Sequence, residues 1–220
     1  MKYCRFQSEN GPKFGHIEER DGDLWVTWLI DPWASDGSSD NEIAPRKLTE
    51  LQLLVPVQPS KIVCVGRNYR DHAKELGNEV PDEPLLFFKP PSSLLAPGAP
   101  ILLPKISNRV DFEGELAVII GKRARKLTRQ DDWRSYIHGY TLANDVTARD
   151  LQKKDGQTTQ WTRAKGFDTF CPVGPIVDSA LDLTAGLTLE THLNGQLRQH
   201  GTTLDFLFDL PTLLEFITAA

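Results

Sequence analysis

The sequence predicts a mostly β protein with peripheral helices. Three observations carry that reading: short apolar runs rich in β-branched and aromatic residues, frequent turn formers between them (15 Pro and 16 Gly in 220 residues), and few stretches with helical spacing. In chain order, LWVTWLI at 24–30 reads as a strand and DPWASDGSSDN at 31–41 has loop composition. VPVQPS at 55–60 then leads into KIVCVG at 61–66, a β-branched run ending at Gly. This punctuation divides the chain into a small N-terminal β module, residues 1–58, and a main domain, residues 59–220. A chain of 220 residues accommodates one substantial core and such a module.

Further strands are expected at LLFFKP (85–90), ELAVIIG (115–121), YTLAND (140–145) and LTLETHLNG (187–195). One helix is expected near 129–137, where Thr128 and Asp131 have capping-box-like spacing ahead of DWRSYI, and another after Asp145 in VTARDLQKK. An apolar helix with Leu213, Leu214, Phe216 and Ile217 near its last turn is expected at the end of the chain. No internal repeat or heptad is present.

A net charge of −5 excludes a general attraction to nucleic acid or anionic membranes. The basic run Lys122, Arg123, Arg125, Lys126 and Arg129 follows an apolar stretch and a Gly and lacks interleaved aromatics, so it reads as a solvated connection. Cys4, Cys64 and Cys171 are odd in number and widely spaced, which indicates neither a disulfide framework nor a thiolate zinc site. The first ten residues lack an apolar signal region and no run is long enough to span a bilayer, so a cytoplasmic location is expected. Trp25, Trp28 and Trp33 beside a β pattern read as core or interface. There is no Gly-x-Gly-x-x-Gly after a strand and no Gly-Lys-Ser/Thr phosphate loop.

The sharpest anomaly is VDFEGELAVII at 110–120, where Asp111, Glu113 and Glu115 recur at period two and would share one face of a strand. Buried acids at that spacing need a partner or must take up protons. A cation would resolve the conflict, and oxygen-only ligands suit Mg²⁺, Mn²⁺ or Ca²⁺; an exposed strand edge with acids turned outward would resolve it too. Asp145, at the end of YTLAND, could converge on the same site or cap the following helix. His72 and Glu75 stand three apart, so on a helix the carboxylate could orient the imidazole. Lys165 lies among aromatic and small residues in WTRAKGFDTF, and Arg149 and Gln152 would share one helical face.

GRNYRDHAKE (66–75), DFEGELAVIIG (111–121), ANDVTARDLQ (143–152) and RAKGFDTFCPVGP (163–175) together resemble the fumarylacetoacetate hydrolase family. The resemblance covers the chain from about Lys61 onward. It implies a twisted sheet rolled into a barrel-like arrangement, a small N-terminal module and a homodimer. By resemblance Glu113, Glu115 and Asp145 hold Mg²⁺ or Mn²⁺, His72 and Glu75 form an acid–base dyad, Lys165 is a site lysine, Arg149 and Gln152 hold substrate or water, and Arg67 reaches the same anion. The implied activity is hydrolysis of a C–C bond in a 1,3-dioxo acid such as an acylpyruvate, the partner being a small 2-oxo acid. Oxaloacetate decarboxylase and 2-hydroxydienoate isomerase chemistry fit the same implied site. The family's Pro-Gly-Asp turn and Thr-Gly-Thr-Pro motif do not occur before the chain stops at LLEFITAA, which also admits a truncated enzyme or an inactive ligand-binding homologue.

Overall fold

The computed structural model describes residues 1–33, 44–69, 81–154 and 158–219. Strand β1 (Lys2–Ser8) is buried on both faces, because Tyr3 packs with Leu29, Val57 and Val177 while Cys4 and Phe6 pack with Ile17 and Val26. A strand buried on both faces needs neighbours on both edges. They are β2 (Gly11–Arg20) on one side and, on the other, β5 (Leu53–Leu54) and β16 (Val177–Asp178). β2 returns into β3 (Asp23–Leu29) through Asp21 and Gly22, both with positive φ, the two-residue hairpin turn that Asp-Gly favours. β4 (Arg46–Lys47) extends that edge.

The other half of the sheet is an antiparallel pair, β10 (Gly114–Ile120) and β11 (Ile137–Asn144), joined to β1 through β16. The order of the eight-stranded sheet is β10-β11-β16-β1-β2-β3-β4, with β5 on β1 off that path. The strands of residues 2–29 therefore hydrogen-bond into the same sheet as β10 and β11, and the expected boundary at 58–59 falls between β5 and β6 (Ile62–Gly66).

Two-stranded pairs surround this sheet. β6 pairs antiparallel with β7 (Leu85–Lys89), β8 (Leu94–Leu95) runs parallel to β15 (Cys171–Pro172), and β9 (Val110–Asp111) pairs with β12 (Thr147–Ala148). β13 (Lys153–Lys154) pairs with β14 (Thr158–Thr159), and β17 (Thr188–Leu193) turns through Asn194 and Gly195, again both at positive φ, into β18 (Gln196–Thr202). Helices among the described residues are short: α1 (Arg149–Gln152), α2 (Trp161–Lys165) and α3 (Leu210–Thr218), the last capped by Asp209, whose carboxylate accepts the Thr212 N–H.

The strand expectations at 24–30, 61–66, 85–90, 115–121, 140–145 and 187–195 coincide with β3, β6, β7, β10, β11 and β17. Two helix expectations need correction. At 129–137 only a 3-10 turn forms, Trp133–Tyr136. The Asp131 carboxylate does accept from Thr128 N (2.7 Å) and Oγ1 (2.9 Å), but this closes a local turn, and Ile137 already belongs to β11. After Asp145 the helix is confined to α1, because Thr147 and Ala148 are buried in the ladder with β9 and Lys153 and Lys154 open another ladder. The acidic segment 111–115 is also not one strand: it divides at Phe112 and Glu113 into β9 and β10.

The basic run 122–129 is exposed at each of its charged positions. Trp28 packs on Phe6, Trp33 stacks on His138 and Trp25 lies beside the Lys47 ammonium. All three cysteines are free thiols. No helix of the described residues is long and apolar enough to cross a membrane.

Phe6 is 1% exposed at the centre of the cluster with Cys4, Ile17 and Val26. Phe6→Ala is expected to cost about 3–5 kcal/mol, read as a lower guanidinium midpoint; a loss below about 1 kcal/mol, the level of ordinary surface changes, would contradict this view of the core.

Candidate active site

A lysine on a buried strand face is costly unless its charge is answered. On β7 the alternation turns Phe87 and Lys89 inward, leaving Lys89 2% exposed, and its Nζ donates to Asp145 Oδ1 (2.7 Å) and to the Val146 carbonyl (3.3 Å). A second lysine, Lys165, ends α2 and is equally buried. Its three protons go to Glu113 Oε2 (2.7 Å), Asp145 Oδ2 (2.6 Å) and Thr147 Oγ1 (2.7 Å). The rings of Phe87 and Trp161, packed edge to face, have centroids 5.0 and 5.8 Å from the same ammonium.

The two acids reach Lys165 because of where the strands part. Asp145 follows β11, Glu113 precedes β10, and the Asp145 N–H donates to the Glu113 carbonyl (2.8 Å). The Glu113 N–H in turn donates to Asn144 Oδ1 (3.0 Å). On its outer side the Glu113 carboxylate accepts from Arg149 Nη2, while Arg149 Nε donates to Asp111 Oδ2 (2.9 Å) and Nη1 to Gln152 Oε1 (2.8 Å). The result is an alternating series of charges: Lys89, Asp145, Lys165, Glu113, Arg149, Asp111.

Burial alone would raise the Glu113 carboxyl, but Lys165 and Arg149 beside it hold it below its ordinary value. Asp111 is held down in the same way by Arg149 and Arg109. Glu115 behaves oppositely. Burial pushes it up to about 8, and the charges of Glu113 and Asp145 add to the rise against a partial pull from Lys165. Among the described residues Glu115 has no ion-pair partner, so near neutral pH it holds a proton.

The structure thus brings Glu113, Asp145, Lys165, Arg149 and Gln152 into one hydrogen-bonded network with Glu115 in electrostatic reach. The Asp145 carboxylate binds two lysines and caps no helix. Arg67 follows β6 with a left-handed backbone (φ 59°) and makes no side-chain hydrogen bond among the described residues. His72 and Glu75 lie outside the described residues. Lys89 and Thr147 were not singled out in the sequence. Lys89 did leave a signal, a charged residue in phase with the inward positions of LLFFK; Thr147 left none beyond being β-branched.

As they lie, no three acids, histidines or cysteines among the described residues stand close enough to hold a metal ion. The donor chemistry nevertheless fits a hard divalent cation: the groups are carboxylates, and an ammonium already occupies the position of a cation between Glu113 and Asp145. Each oxygen of those two acids accepts one cationic donor and keeps a second lone pair, and among the described residues Glu115 forms no ion pair.

Comparison with known proteins agrees with the motifs. Residues 61–220 match the family model described as fumarylacetoacetate (FAA) hydrolase C-terminal. The chain is 38% identical over 207 residues to the oxaloacetate tautomerase YisK of Bacillus subtilis, covering 90% of this chain and 67% of that protein. It is 44% identical over 163 residues to the mitochondrial oxaloacetate decarboxylase of Dictyostelium discoideum, covering 72% and 74%. A solved structure of a 5-carboxymethyl-2-hydroxymuconate delta-isomerase from Mycobacterium smegmatis superposes with a TM-score of 0.86 at 36% identity, covering 100% of this chain and 83% of that one. The chain belongs to the fumarylacetoacetate hydrolase family.

Proposed function

We propose that the protein is a divalent-metal-dependent enzyme that converts a small 2-oxo acid by way of its enol, with keto–enol interconversion of oxaloacetate as the leading reaction. The observation that supports this most is the buried Lys165 ammonium set among Glu113, Asp145 and Thr147, a place where a developing oxyanion meets a fixed positive charge away from water. The name of the tautomerase relative, which aligns over 90% of this chain, supports the choice of oxaloacetate.

In this reading Glu113, Glu115 and Asp145 hold Mg²⁺ or Mn²⁺, which when bound supplies Lewis-acid polarisation of a 2-oxo oxygen. Lys165 turns the proton it gives Thr147 toward the oxygen on which charge develops as the C3 proton leaves. Phe87 and Trp161 keep water from that ammonium. Lys89 holds Asp145 in place, and Arg149, steadied by Gln152, holds Glu113. Arg149 and Arg67 are the cations available for a substrate carboxylate. His72 and Glu75 move the proton at C3. A homodimer and a cytoplasmic location belong to the same reading.

The family description and the fumarylacetoacetate hydrolase of Exiguobacterium antarcticum among the solved neighbours favour a second reading, hydrolysis of a C–C bond in an acylpyruvate. There His72 and Glu75 activate water for attack on the distal carbonyl, and Lys165 stabilises the departing enolate. Decarboxylation of oxaloacetate differs from both in releasing CO₂.

Decay of enol ultraviolet absorbance, with product analysis, separates these outcomes. Oxaloacetate enol is expected to decay to its keto form without loss of carbon; pyruvate with CO₂ would instead identify a decarboxylase, and cleavage of an acylpyruvate a hydrolase. Chelator and Glu113→Ala are expected to abolish the reaction. Lys165→Met is expected to lower kcat by about 10²–10³-fold, the cost of losing one oxyanion donor. Metal binding without turnover of any of these substrates would point to a ligand-binding homologue, and rates indifferent to chelator and to Lys165→Met would refute the site.

The protonated state of Glu115 sets a further expectation. Below pH 8 its proton must leave before the carboxylate can bind a cation, so Mn²⁺ affinity should rise with pH by up to about tenfold per unit and level off above 8. Calorimetric titration in buffers of different ionisation enthalpy reads the released proton directly. Glu115→Gln should bind more weakly and lose most of this slope; the same slope in that variant would exclude Glu115 as its source.

A further inference from the structure

Gly114 stands between the two glutamates, at the first position of β10 and opposite Asn144 of β11. β10 is the terminal strand of the eight-stranded sheet, so backbone groups on its outer side have no strand in that sheet to bond. At Gly114 one side chain takes both. The Gly114 N–H donates to Gln199 Oε1 (2.8 Å), and Gln199 Nε2 donates back to the Gly114 carbonyl (2.6 Å). A primary amide used in this way reproduces one rung of an antiparallel ladder. Gln199 is itself held, because Thr191 across the β17–β18 hairpin donates its hydroxyl to the same Oε1 (3.1 Å). The fit requires glycine: a Cβ at position 114 would collide with Thr191 Oγ1 and lie 3.2 Å from Gln199 Oε1.

The neighbouring backbone is secured from the opposite side, where Asn144 Oδ1 accepts the Glu113 N–H and the Glu113 carbonyl accepts the Asp145 N–H. Side-chain amides from two elements therefore fix the place where β9 ends and β10 begins. We propose that Gln199 is a positioning residue for the Glu113–Glu115 pair: by pinning Gly114 to the β17–β18 hairpin it sets the angle at which the two carboxylates leave the chain, and so the affinity of the site for a divalent cation. The inference rests on the reading of Glu113 and Glu115 as metal-holding residues.

The test is Mn²⁺ binding to the metal-free protein by calorimetry, for wild type, Gln199→Met and the control Arg198→Met. Methionine keeps the length and volume of glutamine and removes both bonds to Gly114; Arg198 is exposed on the same strand. Gln199→Met is expected to bind Mn²⁺ about tenfold or more weakly, the range seen when a residue that orients a metal ligand is lost, while its circular dichroism spectrum stays native and Arg198→Met binds as wild type does. Should the Met variant fail to fold, Gln199→Asn, shorter by one methylene and still polar, is expected to weaken binding in the same way. Wild-type affinity in the folded variant overturns the inference. Weaker binding that appears only together with loss of the native spectrum overturns it too, since Gln199 would then serve the hairpin alone. A wild-type chain that takes up no Mn²⁺ overturns the proposed function and this inference with it.

Discussion

Everything around the candidate site answers one constraint, the cost of gathering carboxylates where little water reaches them. Glu113 and Asp145 are drawn together where β10 and β11 part, Glu115 lies two residues further along the same segment, and an isolated buried carboxylate would give up its charge. Lys165 answers two of them at once, donating its three protons to Glu113, Asp145 and Thr147. Lys89 and Arg149 complete the compensation from either side. Removing one member of such a network leaves an unanswered charge, which is why its parts come from β7, α1, α2 and the two strand ends together. The third acid is the remainder: Glu115 has no cation among the described residues and keeps its proton.

The backbone meets a related demand. Where regular pairing stops, amide side chains take over: Asn144 at Glu113, Gln199 at Gly114, and Asn68, whose Oδ1 accepts the Phe208 N–H while its Nδ2 donates to the Phe208 carbonyl. Buried peptide groups require partners, and a side-chain amide supplies donor and acceptor in the spacing of a strand rung. Irregular backbone can then be held as firmly as a sheet while leaving room for side chains to converge.

Much of the fold was legible because β-branched and aromatic runs bounded by turn residues have few other uses. The two hairpin turns at Asp21-Gly22 and Asn194-Gly195, each with both residues at positive φ, were not among the sequence expectations, although Asp-Gly and Asn-Gly are the pairs that such turns favour. The acids were legible by their spacing. Period two suggested a shared face, and Asp111 and Glu113 do converge on Arg149 although the strand is broken between them. What could not be read was anything set by distant chain. Lys89 and Asp145 are 56 residues apart, and Gln199 is 85 from Gly114. The expected helix at 129–137 failed for the converse reason: its local capping signal was present, but pairing with β10 claimed the residues from Ile137 onward.

The position of β10 at the end of the sheet has a consequence for solubility. An open strand edge is a template on which a second chain can assemble. Here the edge is interrupted at both ends. Gln199 occupies it at Gly114, and an irregular register between Ile119 and Ile120 distorts it at the other end, just before the exposed Lys122, Arg123, Arg125 and Lys126. Two such edges approaching one another would bring like charges together, which disfavours strand-to-strand pairing beside the most apolar stretch of the acidic strand.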